Sequence, residues 1–532
     1  MSNRQKAARS LTGIAGIVAV ATLISKIFGL VRQQAIAAAF GVGPAVDAYS
    51  YAYVVPGFLL VLLGGINGPF HSAIVSVLAK RDKSEAAPIV ETITTLVGVL
   101  LLLVTVVLIV FAGFFIDLVG PGLSHHVRAI AIQQLQIMAP MAVLAGLIGI
   151  GFGTLNAADM YWLPSVSPLF SSITLIGGLF VLAFYLGDQI NAPKYVMLGG
   201  MVLAWGTLSG ALLQWLVQLA AQWRAGLGTL RLRFNWKQPG VSDVLKVMGP
   251  ATLSSGMLQI NVYTDLFFAS TIPQAAAAMN YAGLLVQTPL GIISNVILVP
   301  LLPVFSRLAA PENWPELKVR IRQGLLLTAL TMLPLSALMI ALAIPIVKVI
   351  YQRGAFQNQA SQLVASLLVV YGLGMFVYLA RDVLVRVFYA LGDGETPFRI
   401  SIFNIFLNGL LDYFFVEPLG APGLVLATVS VNLTSTVALL WCLNRKINGL
   451  PWREWGLPFL GLAVGSAVAG LAGWGVSWGF EQVWNAQGLL VHLLQLCLAG
   501  IVGLGIFALF ATRLNLPEVD IFVSRIRQKF GR

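Results

Sequence analysis

Residues 92–116 read TITTLVGVLLLLVTVVLIVFAGFFI, twenty-five positions without an ionisable side chain. As a helix this stretch is about 37 Å long, enough to cross the roughly 30 Å hydrocarbon core of a bilayer. Similar stretches recur along the whole chain. Of the 532 residues, 58% are hydrophobic and 10% charged, against roughly 25% charged in a soluble domain. Mean hydropathy is +0.88. A soluble enzyme on a single anchor is excluded, and the expected class is an all-α polytopic membrane protein.

Fourteen spans are expected, at 10–31, 45–68, 88–116, 127–154, 160–186, 195–222, 248–271, 277–306, 322–346, 361–380, 398–418, 420–444, 457–480 and 487–512. The stretch after Arg4, Lys6 and Arg9 runs on to Leu30 without a small-residue exit, so it reads as the first span and not as a cleaved leader. With the N-terminus in the cytoplasm, 26 of the 32 basic residues fall on the cytoplasmic side. A missed span would scramble that bias, so both termini are expected to be cytoplasmic. The net charge of +12 is then a matter of topology, and no nucleic-acid partner is implied.

Two internal echoes share nearly one offset. Ala21-Thr22-Leu23-Ile24-Ser25 returns as Ala251-Thr252-Leu253-Ser254-Ser255. Leu155-Asn156 with Asp159 and Pro164 returns as Leu391-Gly392 with Asp393 and Pro397. A shift of six spans makes the halves parallel repeats. The expected organisation is an N-terminal lobe over 1–223, a basic cytoplasmic linker over 224–247, a C-terminal lobe over 248–446, two appended helices over 447–513 and a basic tail over 514–532.

Ionisable groups inside spans usually face a cavity or a partner. The first span holds Ser25 and Lys26, with Arg32 close behind, and Asp47 opens the second. Six residues set Lys26 and Arg32 on different faces of a regular helix, and a bend at Gly29 would turn both to one cationic cavity. The alternative is snorkelling of Arg32 to the outer surface. A second, anionic group comprises Asp265, Asn408, Asp412 and Thr428. Asn408 and Asp412 share a face at i, i+4. Such hard donors suit an alkali cation or proton exchange, the alternative being unrelated polar contacts between helices.

Cys442 and Cys497 lie in apolar runs, and the four histidines form no spaced ligand set. No phosphate-binding loop, zinc-protease motif or serine triad is present, so no enzyme is expected.

The run Ser25-Lys26-Ile27-Phe28-Gly29-Leu30-Val31-Arg32, followed by Phe40-Gly41 and Asp47-Ala48, resembles the MurJ/MviN family of bacterial lipid II flippases. So do Gly249-Pro250-Ala251, Gln259-Ile260-Asn261 with Asp265, Arg353-Gly354-Ala355-Phe356, Phe388-Tyr389-Ala390-Leu391-Gly392-Asp393 with Thr396-Pro397, and Asn408 through Gly423. The resemblance implies the fold of the multidrug/oligosaccharidyl-lipid/polysaccharide exporters: two six-helix lobes around a central cavity, with the last two helices lining a lipid-tail groove. It implies a monomer in the bacterial inner membrane, surrounded by membrane lipids. Lipid II, an undecaprenyl-diphosphate-linked disaccharide peptide, would be moved by alternating access for cell wall synthesis.

By the same resemblance Ser25, Lys26, Arg32 and Asp47 meet the substrate. Asp265, Asn408, Asp412, Leu424 (through its carbonyl) and Thr428 resemble a sodium site, so a sodium ion or the membrane potential would drive the cycle. The chain departs from the family at Leu60 and Leu284, where relatives place arginines, and at Gly65 in place of an acid. Lys26 also lacks the planar fork of the family's arginine. Rival readings are a flippase for another polyprenyl-diphosphate-linked glycan, a cation-coupled exporter of the same superfamily, and an envelope-assembly scaffold.

Overall fold

The computed structural model describes residues 3–64, 69–78, 83–238, 240–246, 248, 260–483, 488–514 and 516, with the side chains of 3–19 and a few scattered others left aside. Gly65, the second copy of the first echo at 251–255, the motif residues 249–250 and 259, and most of the basic tail lie outside them. The described residues are helical wherever they cross apolar sequence. In hydrocarbon a backbone must satisfy its own polar groups, and a helix does so within one segment.

The first helices are α1 (Asn3–Phe40), α2 (Pro44–Gly64), α3 (Pro69–Leu78), α4 (Lys83–Val110), α5 (Ala112–Val119), α6 (His125–Met138), α7 (Met141–Ala157), α8 (Trp162–Val166), α9 (Leu169–Leu186) and α10 (Val196–Arg224). After the linker come α11 (Ile260–Ala269), α12 (Ala275–Arg307), α13 (Trp314–Ala341), α14 (Ala343–Tyr351), α15 (Asn358–Ala390), α16 (Glu395–Leu419), α17 (Ala421–Lys446), α18 (Trp452–Val483) and α19 (Leu489–Arg513). Among the described residues eleven helices are long and apolar enough to cross a membrane, and α6 with α7, bent by 42°, makes a twelfth. These match the expected spans except two: the first, which lies in α1, where the side chains of 3–19 are left aside, and the seventh, which runs over residues outside the described set. The chain is an all-helical, multi-pass membrane protein.

Its residues pack into two compact units. One comprises residues 1–277 with 353–356, the other 278–352 with 357–532. In the first, α2 packs on α6 and α7, α10 on α9, and α1 along α8 and α9. Tyr51, Ile130, Leu135, Met138, Ile148 and Phe152 form one core. A second core joins α3 and α4 to Val241 and Val244 of the linker, both fully buried. In the second unit α15 packs between α13 and α17, and α16 lies along α17. The pair α18 and α19 pack on each other and against α13.

The first helix is longer than its expected span. It stays helical through Gly29 and Arg32 to Phe40, because the sequence after Arg32 is rich in alanine. It stops at Gly41, which takes φ +59° and returns its amide to the Ala37 carbonyl at 2.7 Å.

The second echo is a shared way of ending a helix. Beyond α7, Asp159 adopts φ 61° and Met160 donates to the Leu155 carbonyl. Beyond α15, Gly392 adopts φ 74° and Asp393 donates to the Phe388 carbonyl.

Candidate functional site

In the first unit the residues that carry the sequence motifs meet around α1 and α2. Lys26 sits on an exposed part of α1, and Ser25, half-buried, reaches the Ser165 carbonyl at 3.5 Å. Arg32 is turned inward. Its Nε is buried without a hydrogen-bond partner, and its charge acts on the phenols of Tyr49 and Tyr53. The two rings stack with centroids 5.5 Å apart, as i, i+4 neighbours on α2 do. The Thr207 hydroxyl donates to the Leu203 carbonyl, so Tyr49 is the donor in its 2.8 Å bond to Thr207. Tyr49 is thereby held in place, with Tyr53 stacked on it.

A buried donor left unpaired costs about 1–3 kcal/mol, and more when it is charged. An anion that accepted from Arg32 would recover that cost. Leu60 packs against both cores of this unit.

Asp47 has a different setting. It is buried, and its carboxylate accepts from the backbone N–H of Gln274 at 3.2 Å and of Ala277 at 3.1 Å. These amides open α12, so a carboxylate on α2 satisfies orphan donors and meets the positive end of the helix dipole. Gln274 holds φ 68° just before the helix begins.

The Arg353-Gly354-Ala355-Phe356 motif belongs to the same unit and docks on the end of α1. The Ala355 amide donates to the Ala38 carbonyl at 2.9 Å. Gly354, at φ +55°, approaches so closely that a Cβ would stand 2.4 Å from that carbonyl oxygen. A Cβ on Gly41 would stand 2.8 Å from the Ala355 carbonyl oxygen. Two motifs more than 300 residues apart are therefore the two sides of one backbone-to-backbone joint.

In the second unit α16 turns a polar stripe inward. Its buried residues are Pro397, Asn404, Asn408 and Asp412. Asn408 donates through Nδ2 to Asp412 Oδ2 at 2.9 Å. On the neighbouring α17 the Thr428 hydroxyl faces the Leu424 carbonyl at 3.3 Å, and the Thr428 carbonyl accepts from Asn432 at 2.8 Å. Carboxylate, amide, hydroxyl and carbonyl oxygens on two packed helices are the donor set a hard monovalent cation takes. Among the described residues no group of three or more His, Cys, Asp or Glu gathers, so a zinc-type centre has no ligands there. Asp265, half-buried on α11, belongs to the first unit, and the other four residues to the second.

Tyr49, Tyr53 and Asn404 were not among the sequence candidates. Asn404 continues the i, i+4 series of Asn408 and Asp412, a signal present in the sequence. The tyrosines carry none, since nothing local sets them against Arg32.

The helical bundle and its inward polar groups define a membrane transporter fold. It superposes on a structure described as lipid II flippase MurJ in an inward closed conformation with a TM-score of 0.76, at 22% identity over 94% of this chain and 99% of that one. An inward-facing multidrug resistance MATE transporter of the MOP superfamily gives 0.57, at 19% identity over 81% of this chain and 98% of that one. The profile of the family described as Lipid II flippase MurJ matches residues 36–495. A probable lipid II flippase MurJ of Synechocystis sp. is 60% identical over 100% of both chains. The lipid II flippase MurJ of Burkholderia cenocepacia is 29% identical over 88% of this chain and 89% of its own. The chain belongs to the MurJ lipid II flippase family, a family of transporters and not of enzymes.

Proposed function

We propose that this protein moves lipid II from the cytoplasmic to the outer leaflet of the bacterial inner membrane. The observation that carries the reading is the buried, unpartnered Nε of Arg32, whose charge acts on the stacked Tyr49 and Tyr53, in a chain 60% identical from end to end to a probable lipid II flippase. A diphosphate offers the acceptors Arg32 lacks, and a guanidinium stays charged at every physiological pH. Exposed Lys26 adds a second positive charge. Asp47 serves by holding the start of α12.

In this reading residues 1–223 and 248–446 act as lobes that rock to give alternating access, with both termini in the cytoplasm. The polyprenyl tail lies along 447–513, where Leu457, Leu460, Val464, Val468 and Leu471 form an exposed apolar stripe on α18. Asn408, Asp412, the Leu424 carbonyl and Thr428 take a sodium ion that resets the empty transporter. The membrane potential contributes about 2.3 kcal/mol per charge at 100 mV.

Cells depleted of their own lipid II flippase supply the test. The wild-type chain restores growth, Arg32→Ala fails while reaching the membrane at normal level, and Lys26→Ala grows partially. Growth of Arg32→Ala at the wild-type rate overturns the role of Arg32.

Leu60 and Leu284 favour a second reading, a flippase for another polyprenyl-diphosphate-linked glycan. Failure of the wild-type chain to restore growth, with the protein folded in the membrane, supports it.

A further inference from the structure

The linker that follows α10 does not leave the first unit. Leu227 and Gly228 are buried, and the chain then runs extended along α4. Glu91 Oε1 accepts from the Thr229 amide at 3.0 Å and its hydroxyl at 2.9 Å. Glu91 Oε2 pairs with Arg233 Nε at 2.6 Å. One turn along α4, the Thr95 hydroxyl accepts from the Arg233 amide at 3.1 Å and donates to the Glu91 carbonyl at 2.8 Å.

These bonds turn Thr229 and Arg233 toward α4. Leu230, Leu232, Phe234 and Trp236 are 57%, 78%, 62% and 67% exposed. Four large apolar side chains at every second position, interleaved with Arg231, Arg233 and Lys237, form an amphipathic ribbon that closes in a turn, where the Trp236 amide donates to the Phe234 carbonyl at 2.9 Å. No acid lies between Gly226 and Gln238.

We infer that residues 230–237 are an interfacial membrane anchor, whose Leu230, Leu232, Phe234 and Trp236 enter the lipid at the end of α10 while Arg231 and Lys237 meet anionic headgroups.

Depth along α4 points to lipid over a soluble protein partner. Glu91 and Thr95 lie six and ten residues into the apolar span Glu85–Val110, about 9–15 Å from its start at 1.5 Å per residue. The lipid-type surface of α4 resumes at Val99 and Leu100, 53% and 61% exposed. The ribbon thus covers the first turns of the span and presents apolar side chains in their place. Irregular backbone at such depth needs partners for its polar groups, and Glu91 and Thr95 supply them to the Thr229 and Arg233 amides. Trp223 and Arg224 close α10 beside it with the aromatic-plus-basic composition of a membrane interface. The uniformly basic charge complements an anionic leaflet. The inference does not depend on the cargo.

Spin labels test it in purified protein with Cys442 and Cys497 replaced by serine, reconstituted in vesicles containing phosphatidylglycerol. A label on Leu232→Cys should collide with membrane-dissolved oxygen several-fold more than with a water-soluble nickel chelate. A label on Glu312→Cys, in an exposed loop, should show the reverse. Phe234→Cys repeats the measurement if Leu232→Cys folds poorly. Nickel accessibility at 232 and 234 equal to that at 312 overturns the anchor and leaves the ribbon free for a protein partner.

Discussion

Arg32 and Asp47 are both charged residues in or beside a membrane span, and the structure separates them by their partners. Arg32 keeps a buried donor in reserve, whereas Asp47 spends both oxygens on the amides that open α12. Asp47→Ala should therefore act on stability, lowering the purified protein's unfolding free energy by about 0.5–2 kcal/mol, the range for lost helix caps. Asp47→Asn should lose less, since its amide oxygen still accepts one bond. A melting curve in detergent decides this, and an unshifted midpoint for Asp47→Ala removes the capping role. Arg32→Lys keeps the charge but not the fork, so its transport rate should fall between those of wild type and Arg32→Ala. A rate equal to wild type would make charge alone sufficient.

The sequence identified Arg32, Lys26 and Asp47 as unusual because charge inside apolar sequence is legible one residue at a time. What each one touches was not legible. Asp47 meets amides more than 220 positions away, and no local pattern encodes that distance.

Helix ends and joints carry their own consequences. Gly354→Ala would force a side chain into a left-handed conformation and against the Ala38 carbonyl. It should cost about 1–3 kcal/mol, read as a lower melting temperature. An unchanged midpoint means that the joint between Arg353–Phe356 and the end of α1 does not bear load.

Asp393 ties three helix ends together. Partial burial pushes its carboxyl up, but the Lys446 ammonium at 2.6 Å and the Thr396 amide and hydroxyl outweigh that and hold it at about 2. A depressed carboxyl contributes stability that is fully present above its ordinary value near 4 and is lost as pH falls through about 2. The melting temperature of wild type should therefore drop more steeply between pH 4 and pH 2 than that of Asp393→Asn. Parallel curves would show that the Lys446 pair adds nothing.

Element boundaries were legible where glycine ends an apolar run, less so where alanine extends one. The first helix outran its expected end for that reason. The linker is legible in the sequence by its positive charge, and LRLRFNWK from 230 to 237 also alternates in polarity. The use of that alternation appears only once Glu91 and Thr95 are seen to hold the segment.

For the whole molecule, hydropathy and the loop charges sufficed for a multi-pass bundle, since lipid leaves helices as the way to satisfy these backbones. The motifs near Ser25–Arg32 and Arg353–Phe356 pointed to the family, and both now have a physical reason in the first unit. The polar stripe of Asn404, Asn408 and Asp412 was half-visible as an i, i+4 pair. Its burial against α17 depended on packing that no single helix specifies. Transport in sodium-free buffer should be several-fold slower than in sodium for wild type. Asp412→Ala should abolish that difference, and equal wild-type rates with and without sodium would remove the ion from the cycle.

The most direct measurement is the passage of fluorescent lipid II between leaflets of vesicles that contain only this protein. Wild type should move the labelled lipid well above the protein-free rate, and Arg32→Ala, folded and reconstituted equally, should fall to near that background. Wild-type vesicles no faster than empty ones, or Arg32→Ala as fast as wild type, would contradict the proposal that this chain captures a lipid-linked diphosphate at Arg32.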